Sequence, residues 1–218
     1  MKTLIIDYGL GNLRSVRNAL KYCGVEPVVS ENPAELSSAA VAILPGVGAF
    51  EDGMKGLRAR GWITAIEAYV QSRRPLLGIC LGMQLLMSRG HEFGRHDGLG
   101  LIAGEVVTFD PKTAAGGRLR VPHMGWNGLK PGNSWEGTIL AGLHPQAEMY
   151  FVHSYFVAPE NAGHILAMTD YGGQTFCSVL ASGNVYGCQF HPERSAAGGL
   201  MVLKNFIGMG TNQRQERS

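Results

Sequence analysis

"RPLLGICLGMQLLMSRG", residues 74–90, is the stretch on which the fold turns. The apolar run 74–80 reads as a strand, and 81–90 reads as a helix closed by Gly90. One thiol, Cys80, stands at the junction between Gly78 and Gly82. A strand that turns straight into a helix strains the residue at the turn, and side chains two positions to either side would collide there. Glycine removes them. This G-x-nucleophile-x-G elbow lifts the thiol out of the sheet. It also sets the thiol at a helix N-terminus, whose partial positive charge favours thiolate. The N–H of Leu81 then points at whatever the sulfur attacks, as half of an oxyanion hole. Without that setting, a lone cysteine is most often a small buried hydrophobe.

Working outward, the pattern before the elbow alternates strand and helix. Residues 3–7 ("TLIID"), 26–30 ("EPVVS") and 39–46 ("AAVAILPG") read as strands. Asn12 can cap a helix whose Leu13, Val16, Ala19 and Leu20 share a face, and 62–70 is helical by spacing. Such alternation predicts an α/β fold: a doubly wound, mostly parallel sheet with helices on both faces. After the elbow, short β-like pieces predict additional antiparallel strands, at 148–158, 163–169, 174–183 and 184–192. Ser182-Gly183-Asn184 marks a hairpin between the last two. A helix over 198–208 precedes a polar, frayed end. With no repeat and no linker, a single domain is expected over 1–210, with a polar tail over 211–218.

The chain has 218 residues, 45% apolar and 17% charged, enough for a sizeable core and too apolar for disorder. A net charge of +2 gives no reason to expect nucleic acid or an anionic membrane as partner. No apolar run approaches the roughly 20 residues that span a bilayer, and Asp7 interrupts the N-terminus too early for a signal peptide. Cys23, Cys80, Cys177 and Cys188 fit neither a disulfide framework nor a zinc site. Reduced thiols, a cytoplasmic location, and no metal or cofactor are expected.

A nucleophilic thiol needs a base, and the base needs an orienting group. "CQFHPERS" (188–195) supplies both. His191 ends a strand, Pro192 stops it, and Glu193 can accept the second ring N–H. Of the other histidines, His153 reads as a hydrogen-bonded core residue and His123 as a loop residue on a binding surface. "ILPGVGAF" (43–50) leaves a strand through Pro45 and Gly46 and stays glycine-rich to Gly48. A loop there lies beside the elbow and could supply the other oxyanion donor from Val47 or Gly48. Its glycines would let the Val47 peptide turn over. "DYGLGN" (7–12) is a poor phosphate loop, with no Lys-Ser/Thr after it.

"GICLGMQLL" with the distant "QFHPERS" resembles the class I, triad-type glutamine amidotransferases. "IIDYGLGNLRSV", "LPGVGAF", "VPHMGWN" and "YFVHSYF" are similar to the glutaminase subunits of imidazole glycerol phosphate synthase, and the blocks span residues 4–195. The resemblance implies glutamine hydrolysis by Cys80, His191 and Glu193, with oxyanion donors at Leu81 and at Val47 or Gly48. It implies glutamine contacts at Gly46, Gln84, Ser154 and Tyr155. It also implies a heterodimer with a (β/α)8-barrel cyclase subunit that consumes the ammonia in histidine biosynthesis. Trp126, in what reads as a loop, is expected to anchor that interface. Arg194 replaces the usual Lys of H-P-E-K-S, which alters the geometry of any partner contact there. Two other readings predict different behaviour. A stand-alone cysteine peptidase or hydrolase would act on other substrates without a partner. A non-catalytic binding module would lack a triad member.

Overall fold

The computed structural model describes residues 2–112 and 116–215. In chain order the elements are β1 (Thr3–Ile6), α1 (Leu13–Tyr22), β2 (Val28–Ser30), β3 (Val41–Gly46), α2 (Phe50–Ala59), α3 (Trp62–Gln71) and β4 (Leu76–Cys80). Next come α4 (Leu81–Leu85), β5 (Met87–Gly90), β6 (His96–Asp97), β7 (Ile102–Thr108), β8 (His123–Gly128) and β9 (Lys130–Pro131). The chain ends with β10 (Glu148–His153), β11 (Tyr155–Pro159), β12 (Ile165–Tyr171), β13 (Gln174–Ser182), β14 (Val185–Cys188) and α5 (Ala196–Gln215).

One large sheet runs β2-β1-β3-β4-β14-β13-β11-β7-β5-β6, with β12 and β9 joined to β13 off that path. From β2 through β14 the pairings are parallel, and the β13–β14, β11–β13 and β11–β7 pairings are antiparallel. The doubly wound sheet with an antiparallel extension is therefore present. Alternate side chains of the parallel strands go to opposite faces. Leu4, Ile6, Ala42, Leu44 and Leu76 pack with residues of α2, α3 and α4. Ile5, Val41, Ile43, Leu77 and Ile79 pack with residues of α1 and α5. Two cores thus sandwich strands that are apolar along their whole length.

Several local expectations are corrected. The helix expected over 81–90 ends at Leu85, and Met87–Gly90 is a strand parallel to β7. A Cβ on Gly90 would lie 2.6 Å from the Phe50 ring, so that strand lies flat against α2. Sheet pairing there outweighs local helix propensity. α2 itself has no counterpart in the sequence reading, because Gly53 and Gly56 disguise it. Those glycines permit close packing: a Cβ would meet Leu85 at 3.0 Å and the Tyr8 carbonyl at 2.6 Å, respectively. The strand expected over 148–158 divides at Ser154 into β10 and β11, which belong to different sheets. "HMGWN" is not a loop but β8, paired with β10 in a two-stranded ribbon. α5 continues past 208 to Gln215, so the expected tail is helical up to that residue, and 216–218 lie outside the described residues.

Other expectations match. Asn12 caps α1 through Ser15 N–H, and Val16, Ala19 and Leu20 are buried. β13 and β14 form the hairpin around Gly183, whose φ of +58° suits the primed turns that join twisted strands. Among the described residues no helix is long and apolar enough to cross a membrane.

Candidate active site

β3, β4 and β14 finish at one edge of the sheet, and their register decides what meets there. Gly46 lies opposite Cys80, and Cys188 opposite Ile79. One residue past β14 therefore brings Gln189 beside Cys80, and its same-face neighbour two positions on is His191. Cys80 holds φ +53° and ψ −112°, a conformation costly for a residue with a Cβ. The packing that enforces it is visible at the flanking glycines. A Cβ on Gly82 would lie 1.8 Å from the Leu44 carbonyl oxygen, and one on Gly78 would lie 2.6 Å from the Gly82 oxygen. With five residues α4 is short, so its dipole contributes less at the sulfur than a long helix would.

His191 Nδ1 lies 2.9 Å from Glu193 Oε1, with both side chains almost wholly buried. The carboxylate can only accept, so Nδ1 carries the hydrogen. Nε2, on the other side of the ring, has no hydrogen-bond partner among the described residues. Burial opposes the imidazolium, but Cys80 and Glu193 outweigh it and raise His191 to about 10. Ser195 fixes this segment: its hydroxyl donates to the His191 carbonyl at 2.7 Å and accepts from Tyr150 N–H at 2.9 Å.

A cavity of about 380 Å³ opens over the sulfur. Val47, Gly48 and Leu81 line one side, and Gln84, Ser154 and Tyr155 line another. Gly46 does not line it, being walled in by Tyr8, Leu81 and Gly82. Ala42 N–H donates to Pro75 C=O, and carried along the parallel ladder to the Gly46–Cys80 pair, that alternation points the Gly46 carbonyl toward Leu81 N–H. Gln84 Nε2 donates to the Tyr155 carbonyl at 2.9 Å and to Gln189 Oε1 at 3.2 Å, so both its hydrogens are committed within the protein.

Two residues at the cavity and the sulfur escaped the sequence reading. Glu92 lines the cavity, its Oε2 held by Phe50 N–H at 2.7 Å; as an isolated acid in a polar loop it carried no signal. Gln189 is fully buried and donates from Nε2 to Cys80 Sγ at 3.7 Å. Its signal was its position two residues before His191, hence on the same face.

His123 is completely buried, contrary to the surface reading. It lies 3.0 Å from His153 Nε2 and 2.8 Å from Asn127 Oδ1. His153 is the hydrogen-bonded interior residue expected, and burial pushes it down to about 3. Trp126 lies on β8, half-exposed, and packs edge-on against Tyr150, whose ring also carries the Arg194 guanidinium at 4.6 Å. All four thiols are free, and burial raises Cys177 to about 12 and Cys188 well above its ordinary range.

The family model for class-I glutamine amidotransferases matches residues 4–209. The chain is 46% identical over 206 residues to imidazole glycerol phosphate synthase subunit HisH 1 of Legionella pneumophila (strain Lens), covering 93% of this chain and 97% of that one. It is 48% identical to the HisH subunit of Desulfitobacterium hafniense (strain DSM 10664 / DCB-2), covering 93% and 92%. In fold it is similar to a glutamine amidotransferase crystal structure with a TM-score of 0.72 at 20% identity, covering 95% of this chain and 98% of that one. The structure of PurLQS from Thermotoga maritima gives 0.71 at 19% identity, covering 95% and 97%. With an elbow cysteine, a buried His–Glu pair beside it and this kinship over nearly its whole length, the chain belongs to the class-I glutamine amidotransferases, in the family of imidazole glycerol phosphate synthase HisH subunits.

Proposed function

We propose that this chain hydrolyses glutamine to glutamate and ammonia. Cys80 sulfur attacks the carboxamide carbon, and the C=O electrons move to oxygen. As that intermediate collapses, His191 Nε2 gives its proton to the departing nitrogen, ammonia leaves, and a glutamyl thioester remains. Water then attacks the thioester with His191 as base, releasing glutamate and the thiol. Glu193 holds the ring so that Nε2 faces the chemistry. The observation that carries this reading is the buried His191–Glu193 bond at 2.9 Å, with Nε2 left unpaired beside an elbow cysteine. A ring held charged by its neighbours is ready to donate the first proton.

Specificity follows from the walls. Gln84 has no free N–H, so it meets the substrate with its amide oxygen and accepts from an N–H donor. Glu92 supplies a carboxylate suited to the α-ammonium group, and the Ser154–Tyr155 corner closes that end. The oxyanion hole would use Leu81 N–H and Val47 or Gly48 N–H. Since the Gly46 carbonyl is aimed at Leu81 N–H, the hole is incomplete until the 46–48 loop rearranges.

The ammonia serves a cyclase partner of (β/α)8-barrel form that makes imidazole glycerol phosphate and an aminoimidazole carboxamide ribotide. The patch of Met124, Trp126 and Arg194 around Tyr150 supports that surface as the docking side. It is hydrogen-bonded directly to the triad, because His191 N–H donates to the Tyr150 carbonyl at 3.0 Å. The decisive experiment measures kcat for glutamine with the chain alone, with cyclase, and with cyclase plus its ribotide ligand. Activity should rise in that order. Equal rates in all three would sink the coupling, and no glutamine turnover in any would sink the reading itself.

A further inference from the structure

We infer that Gln189 is a further catalytic residue, a neutral donor that directs the Cys80 sulfur and steadies the charge it carries during attack and departure. The inference rests on Cys80 as the attacking group.

The polarity at the sulfur is set from a backbone carbonyl. The Tyr155 C=O can only accept, so the Gln84 amide must present Nε2 to it. The second hydrogen on that nitrogen then goes to Gln189, which must present its oxygen, Oε1. With its oxygen facing Gln84, Gln189 has only its nitrogen left for the sulfur. Both amide orientations are thus dictated from one end of the chain of bonds, and the polarity at the far end is donor. A donor stabilises a charged acceptor more than a neutral one, so the arrangement suits the sulfur as attacking and leaving group, when it carries charge.

His191 supplies the opposite charge beside the sulfur, and Gln189 supplies a neutral N–H that directs it. The Val152 carbonyl also lies near the sulfur, at 3.9 Å, but as an acceptor it cannot donate to it. α4 is one short turn, so its N-terminus adds little at the sulfur. Gln189 is fully buried and its main chain is anchored by N–H to the Ser178 carbonyl at 2.9 Å, so its carboxamide has no alternative in water. The acceptor at its other end, Oε1, is engaged by Gln84. This polarises the amide and strengthens the donor.

The test uses Gln189→Leu and Gln189→Glu in the full chain, with iodoacetamide as probe and mass spectrometry to quantify label at Cys80. Thermal unfolding and co-elution with cyclase report whether fold and docking survive. At neutral pH, Gln189→Leu should slow Cys80 labelling about tenfold, as expected for losing a hydrogen bond to a charged group. Gln189→Glu should be slower still, because an anion then faces the sulfur. In the complex, kcat for glutamine should fall with labelling while KM stays within about twofold. Labelling of Gln189→Leu at the native rate, with fold and docking intact, would overturn the assignment. If the leucine variant fails to fold or dock, Gln189→Glu decides: native labelling rates there overturn it equally. Should the native chain turn over no glutamine while the labelling contrast persists, the donor role would stand and the glutaminase reading would fall.

Discussion

Two glycine-bracketed turns leave adjacent parallel strands at the same edge of the sheet, and they are built in opposite ways. After β4, Gly78 and Gly82 are glycine because there is no room: a methyl at Gly82 would sit 1.8 Å from the Leu44 oxygen. After β3, Gly48 is glycine for its backbone: φ is +108°, and a Cβ would meet nothing within 4 Å. Cys80 between the first pair is 6% exposed, and Val47 beside Gly48 is 41% exposed. Packing over-determines the strained nucleophile, so its position does not depend on a partner. The loop proposed to supply an oxyanion donor has little holding its outer half. One turn stores geometry and the other leaves it adjustable.

The comparison can be broken first at the sulfur. Cys80→Ala should remove glutamine turnover entirely, while the complex still forms product from ammonium salts. Persisting glutamine hydrolysis would move the chemistry away from the elbow. A glutamine-like affinity label should modify Cys80 and spare Cys177 and Cys188, whose thiols burial keeps protonated. Next, His191→Asn should lower kcat by about 10²- to 10⁴-fold, the usual range for a group that moves protons in both half-reactions. Glu193→Gln should cost less, since Glu193 orients the ring. Rates in the reverse order would exchange their roles.

Smaller effects separate the two turns. Gly82→Ala should destabilise the chain by about 1–3 kcal/mol or more, because a methyl is forced against a carbonyl in a packed core. Thermal unfolding measures this, and a melting temperature unchanged from the native chain would deny that packing locks the elbow. Gly48→Val should unfold later than Gly82→Ala. It should nonetheless blunt activation by ligand-loaded cyclase, since a β-branched residue resists the positive φ on which the loop depends. Activation left intact would place the switch outside the loop.

The smallest effect concerns pH. His191 is raised from an ordinary 6.5 to about 10, so its contribution to stability is full below pH 6.5 and is lost as pH climbs toward 10. The native melting temperature should therefore fall over that interval more than that of His191→Asn. Parallel curves would mean that the ring is not held charged.

Much of this was legible because it is local. The elbow, the His-Pro-Glu segment, the cap at Asn12 and the Gly183 turn each follow from residues within a few positions of one another. The failures have one cause in common. Residues 87–90 look helical and pair as a strand; "HMGWN" looks like a loop and lies in a ribbon; α2 looks too rich in glycine and is a helix. In each case a distant surface, β7, β10 or the Tyr8–Leu85 wall, outweighs local preference.

The sequence by itself determined the chemistry on offer: a thiol between two glycines, a histidine followed by a carboxylate, and an apolar, alternating pattern that requires a parallel sheet. Those depend on side-chain type and short spacing, which a chain carries whether folded or not. Only the tertiary structure decided that Gln189 would reach the sulfur, that Glu92 would face the cavity, that Trp126 and Arg194 would meet across one tyrosine ring, and that His123 would be interior. The physical reason is register. Gly46, Cys80 and Gln189 share one sheet edge because β3, β4 and β14 pair as they do, and a slip of one residue would turn every one of those side chains to the opposite face.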